Sequence, residues 1–298
     1  MVRLHSRHGW WLGMALAALV AVDALAQQSV PTSASSPTPA AVPTDSGVAA
    51  AQPLGLNFDV GVATAYLFRG YNVFQRDGQL DQHLMIAPGV SWAVFDTGLS
   101  LIYWSAYQIS GSNIDANLAG GLGAEQDLIA LYEYSLTDEM TLAGGLAYYF
   151  YPLADDAVVG ASVPSFLEPV LSFAYSGIVD ASVSALYLFG LQDVPAVRGI
   201  SYLYLNPSIG KSVELLDKLS LEAKLSYGYK LFLQGNEGAS NAHDVLFAWR
   251  LPFAVKKDFY ITPSIGVAWT NIEGNAANPR GFEDGVALFG GLNVGAEL

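Results

Sequence analysis

The sequence predicts an all-β fold, an antiparallel up-and-down transmembrane β-barrel of twelve strands, preceded by a signal peptide and a disordered linker. Three observations predict it. Long segments alternate apolar with polar or small residues at a period of two, as a strand between two environments does. The connections between those segments alternate between short turns and long polar loops, the arrangement of an outer-membrane barrel. Apolar character is dispersed: the chain is 52% hydrophobic and only 13% charged, with a mean hydropathy of +0.33. Yet no apolar run of about 18 residues follows the N-terminus, which disfavours a helical span.

In chain order, Arg3 and Arg7 form a basic start, Trp10 to Val22 an apolar stretch, and Ala24-Leu25-Ala26 a small-x-small cleavage site. Residues 1–26 therefore read as a secretory signal peptide. Cleavage there would remove Arg3, Arg7 and Asp23, leaving 11 basic and 26 acidic residues and a net charge of −15. That balance disfavours nucleic acid as a partner. Residues 27–53 are rich in Pro, Ala and Ser, carry no hydrophobic period, and read as a periplasmic linker.

The barrel is expected over residues 54–298, with strands near 55–68, 80–95, 98–110, 124–136, 140–152, 164–175, 179–191, 201–214, 218–231, 243–254, 258–271 and 285–298. The segment 218–231 shows the pattern most clearly, with Leu219, Leu221, Leu225 and Tyr227 on one face and Ser220, Glu222, Lys224 and Ser226 on the other. Short turns fall at 96–97, 137–139, 176–178, 215–217 and 255–258, and long connections at 69–79, 111–123, 153–163, 192–200, 232–242 and 272–284. A sandwich gives no reason for that sorting, whereas a closed barrel satisfies every backbone group in lipid and leaves no edge. Aromatic residues near strand ends, among them Tyr66, Phe68, Tyr149 and Trp269 on one side and Trp92 and Phe95 on the other, suggest two interfacial girdles.

The same alternation turns a set of ionisable residues inward, since a charge toward lipid costs about 2–4 kcal/mol at mid-depth. The expected pore-lining residues are Asp59, Asp81, His83, Glu125, Asp127, Glu133, Glu168, Glu222, Lys224, Lys230, Asp244 and Arg250, with Glu297 on the same face. Arg69, at the end of the first strand, is placed at the mouth, where it would meet lumenal carboxylates or a lipopolysaccharide phosphate. Such a lining reads as an electrostatic filter or, equally, as a plugged lumen of ion pairs.

There is no Cys in the chain, which removes disulfides, thiolate metal sites and cysteine nucleophiles. His83 and His243 are the only histidines after residue 26, and neither sits in a nucleophile elbow or a metal-spaced motif. No catalytic residue, metal site or cofactor is predicted.

Tyr66-Leu67-Phe68-Arg69-Gly70, Gly98-Leu99 with Tyr103-Trp104-Ser105, Glu125-Gln126-Asp127-Leu128 and Tyr148-Tyr149-Phe150-Tyr151-Pro152 are short patches over residues 60–152. Together they resemble the TorF-type porins, a family of bacterial outer-membrane β-barrel proteins. The chain departs from that family after Arg69-Gly70, where Tyr71-Asn72-Val73-Phe74 intervene before Gln75. The resemblance implies an outer-membrane barrel, and it carries over to this chain neither catalytic residues nor a defined substrate. The expected function is passive diffusion of small hydrophilic solutes or ions through a net-acidic lumen, in contact with outer-membrane lipid and lipopolysaccharide. Two other readings stay open: a closed structural or adhesive barrel acting through its extracellular loops, and a barrel enzyme acting on lipid or lipopolysaccharide. Substrate and oligomeric state are not legible.

Overall fold

A computed structural model describes residues 54–72, 84–109, 125–152, 165–191, 201–234, 241–272 and 285–298. The expected signal peptide and linker, Asp81, His83 and most of the long connections lie outside these residues. Twelve wall strands are present: β1 (Leu56–Ala63), β2 (Met85–Ala93), β3 (Leu99–Gln108), β4 (Glu125–Ser135), β5 (Met140–Phe150), β6 (Ser165–Tyr175), β7 (Asp180–Gly190), β8 (Ser201–Leu216), β9 (Leu219–Gln234), β10 (Ala242–Arg250, resuming as Phe253–Lys256), β11 (Phe259–Thr270) and β12 (Val286–Glu297). Each pairs antiparallel with its sequence neighbours. The ring closes through β1 and β12, in a register running from Asn57↔Glu297 to Ala63↔Gly291.

Closure follows from what each strand presents to its two sides. Along β1, Phe58 and Val60 are exposed, while Asn57, Asp59 and Gly61 alternate with them toward the interior. On β12, Leu288 and Leu292 face out, and Ala287 and Asn293 are fully buried. An exterior of exposed Leu, Val, Ile and aromatic side chains around a ring with no free edge requires lipid as its solvent. The fold is that of a bacterial outer-membrane barrel.

The turns carry their own chemistry. Between β2 and β3 a 3-10 turn at Phe95–Thr97 is held by the Thr97 hydroxyl, which donates to the Val94 carbonyl (2.6 Å) and accepts from the Leu99 amide (3.2 Å). Between β4 and β5, the Thr137 hydroxyl accepts from the amides of Glu139 and Met140. The β8–β9 turn is shorter than the sequence suggests: Leu216 pairs with Leu219, so only Asp217 and Lys218 turn, and Leu215 remains in its strand. Strand β10 is interrupted where Pro252 has no N–H to give to a ladder.

The largest departure is at the first strand. Expected over 55–68, it leaves the wall after Ala63. Leu67–Phe68 and Tyr71–Asn72 form a separate two-stranded hairpin that, among the described residues, pairs with itself and not with the wall. Arg69 and Gly70 at its tip both have positive φ, 49° and 81°, as a two-residue hairpin turn of type I′ demands. This hairpin turns into the barrel.

Candidate functional site inside the barrel

The interior is built around Arg69. Its side chain is fully buried, and its guanidinium grips the Glu168 carboxylate of β6 with both terminal nitrogens, Nη1 to Oε2 at 2.5 Å and Nη2 to Oε1 at 2.7 Å. Nη1 also donates to the Tyr202 hydroxyl of β8 at 2.9 Å. The rings of Phe68, Tyr204 and Tyr202 lie 4.5, 5.0 and 5.6 Å from the guanidinium carbon. A planar fork suits such a place, since it matches a carboxylate and stacks on rings at once. Tyr149 of β5 also donates to Glu168, at Oε1, 2.8 Å away. From β9, next to β8 in the wall, the Lys230 ammonium donates to the Arg69 carbonyl at 2.9 Å.

Beside this pair lies a second carboxylate set. Tyr66 and Tyr151 donate to the two oxygens of Glu125 at 2.5 and 3.1 Å. Asp127, two residues along β4, is also buried, and its Oδ1 has no hydrogen-bond partner among the described residues. On the far wall, the Tyr204 hydroxyl donates to Asp244 of β10 at 2.9 Å. All these groups occupy the long-loop half of the barrel.

The short-turn half holds the other expected residues. Asp59 is hydrogen-bonded by Asn293. Arg250 and Glu222 approach to 3.5 Å across β10 and β9. Tyr260 donates to Asn57 at 3.1 Å. Glu133, Lys224 and Glu297 share the inward parity of their strands, and one oxygen of Glu133 is buried without a partner among the described residues. Ten of the twelve expected lining residues are therefore on inward-facing positions, and Asp81 and His83 fall outside the described residues.

Three features depart from the expectation. Arg69 meets a lumenal carboxylate, one of the alternatives the sequence offered, but it does so fully buried, on a hairpin that has left the wall. Tyr66 and Tyr149, read as girdle residues, point inward and are buried, because each finds a carboxylate there. The interior is also partly apolar: Ile129, Leu131, Val170, Leu186 and Leu188 pack with Trp104 and Met85 in one buried cluster. The signal for that cluster was the run Leu128-Ile129-Ala130-Leu131 on β4, where apolar residues fall on both faces: Leu128 is exposed on the outer face while Ile129 and Leu131 are buried inside.

Gly70 fits the hairpin tip for two reasons: its φ of +81°, and the 2.7 Å that would separate a Cβ from the Thr270 hydroxyl oxygen. Gly70→Ala is expected to destabilise the barrel by about 1–2 kcal/mol. The check is the denaturant midpoint of the folded band in gels run without heating; an unchanged midpoint would mean that the tip is not held.

No protein-family model and no curated protein sequence matches the chain. Solved barrels resemble it in architecture. The NanC porin has a TM-score of 0.47 at 10% identity, covering 82% of this chain and 98% of its own. The KdgM porin has a TM-score of 0.45 at 13% identity, covering 81% of this chain and 99% of its own. LpxR from Salmonella typhimurium has a TM-score of 0.46 at 8% identity, covering 81% and 100% respectively. At these values, the assignment of the fold rests on the strands, turns and closure described above.

Proposed function

We propose that the chain is a porin-like channel of the bacterial outer membrane that passes small hydrophilic solutes or ions through an acid-rich interior. The observation that carries this reading is the sorting of side chains in the wall: Asp59, Glu125, Asp127, Glu168 and Asp244 face in, while the outer surface is apolar. Carboxylates in a barrel interior that outnumber its cations favour cation entry. The resemblance to TorF-type porins supports the same location.

The packing around Arg69 favours a second reading, a closed barrel that acts through its loops. Conductance separates the two. Residues 27–298, refolded into a planar bilayer across a salt gradient, are expected to give discrete steps with a reversal potential on the cation side. Asp127→Asn is expected to move that potential toward zero. A silent bilayer, with folding verified by gel mobility, would favour the closed barrel; hydrolysis of added lipopolysaccharide would instead point to an enzyme.

A further inference from the structure

The inserted hairpin spans the lumen. At one side, Tyr66 reaches Glu125 of β4; at the other, Gly70 packs against Asp244 of β10 and Thr270 of β11. In a ring of twelve strands, β4 and β10 are diametrically opposed. Between them, the guanidinium of Arg69 is wholly removed from solvent. The interior is therefore closed at this level by residues that belong to no wall strand.

Two properties mark this closure as separable from the wall. The hairpin's backbone ladder, Leu67↔Asn72 and Phe68↔Tyr71, is its own and does not extend the barrel sheet. Its tip also places an Arg at positive φ, a conformation that a residue with a Cβ holds only where its surroundings over-determine it. What over-determines it here is the bidentate contact with Glu168. A buried ion pair of this kind is specific in geometry but adds little net stability, because the cost of drying two charges offsets their attraction. When the hairpin leaves, both charges regain water. The ion pair's own contribution to the difference between docked and undocked states is therefore small, as suits a contact within a two-state element.

We propose that residues 65–72 form a displaceable stopper, anchored to the wall where Thr64 bonds Gly290 of β12, and that the Arg69–Glu168 pair is the latch that sets how often the lumen opens. The proposal rests on the channel reading above. The latch acts by positioning the hairpin; it need not touch the solute.

The test uses the full mature chain in planar bilayers, with folding of every variant confirmed by heat-dependent gel mobility. Glu168→Gln keeps the side chain's shape and removes its charge. It is expected to raise the open probability about tenfold over the unaltered chain, as a shift in a two-state equilibrium. The exchange Arg69→Glu with Glu168→Arg is expected to bring the open probability back down. The chain's lack of Cys permits a clean tether as well: a Cβ at Gly70 would lie 3.3 Å from that of Thr270, close to the separation that a disulfide spans. Gly70→Cys with Thr270→Cys should be silent when oxidised and conduct after reduction. If the unaltered chain conducts and Glu168→Gln matches it in open probability, the latch is overturned and the channel reading stands. Replacement of residues 65–71 by a Gly/Ser segment of equal length decides the other case. If that variant folds and is also silent, the lumen is closed by the wall itself and both readings fail.

Discussion

Leu171→Arg is expected to lower the stability of the lipid-inserted barrel by about 2–4 kcal/mol. Leu171 stands at the middle of β6, 56% exposed, and its neighbours in the ladder are Gly144 on β5 and Ala185 on β7. Small neighbours leave a long cation nothing to hide behind, and the distance to either interface is greatest at mid-strand. Ile178, 91% exposed on the turn between β6 and β7, is the contrasting position. The same charge there, at Ile178→Arg, is expected to change stability by only about 0–1 kcal/mol, because the turn meets water. Denaturant midpoints of both variants refolded into vesicles check the pair. Equal midpoints would mean that the β6 exterior is not in lipid, and the membrane assignment of this wall would fall.

The second large effect is expected at Gly228. The Tyr204 side chain of β8 crosses β9 to reach Asp244 of β10, with hydroxyl-to-carboxylate distances of 2.9 and 3.1 Å. It passes over Gly228, which is opposite Asp244 in the ladder. A Cβ at Gly228 would stand 2.1 Å from the Tyr204 oxygen and 2.3 Å from an Asp244 oxygen. Gly228→Ala thus overpacks the seam and strips a buried carboxylate of a donor, at an expected cost of about 2–5 kcal/mol. Tyr204→Phe alone removes only the hydroxyl, at about 1–3 kcal/mol. Because both changes act on one contact, the double variant should cost less than their sum. A double-mutant cycle on unfolding midpoints measures the difference; additivity to within about 0.5 kcal/mol would show that the glycine and the tyrosine do not share the contact.

The wall was legible because its cause is local. Each strand must carry an apolar residue toward lipid at every second position, so β9 announces itself in Leu219, Leu221, Leu225 and Tyr227 without reference to the rest of the chain. The same parity turned Glu125, Asp127, Glu168 and Asp244 inward. Turn positions were legible for the same reason, and the small shift at Leu215–Leu216 arose because apolar residues at a strand end pair as readily as they turn.

The interior was not legible to the same degree. Period two states which face a residue takes, but not what it meets there. The pairing of Arg69 with Glu168 joins positions 99 residues apart, and Lys230 reaches the Arg69 carbonyl across 161. Nothing in the spacing of those residues encodes either contact. The first strand was read as running through Phe68 because Tyr66-Leu67-Phe68 has strand-forming side chains. Only closure of the ring brings Glu168, Tyr149, Tyr202 and Tyr204 to one level, where they offer a buried cation a carboxylate, hydroxyls and ring faces. By itself, then, the sequence determined the barrel, its strand number and the inward set of charges, since each follows from alternation against lipid. The tertiary structure alone decided that residues 65–72 fold into the lumen, because the partners that hold them come from strands spread around the ring.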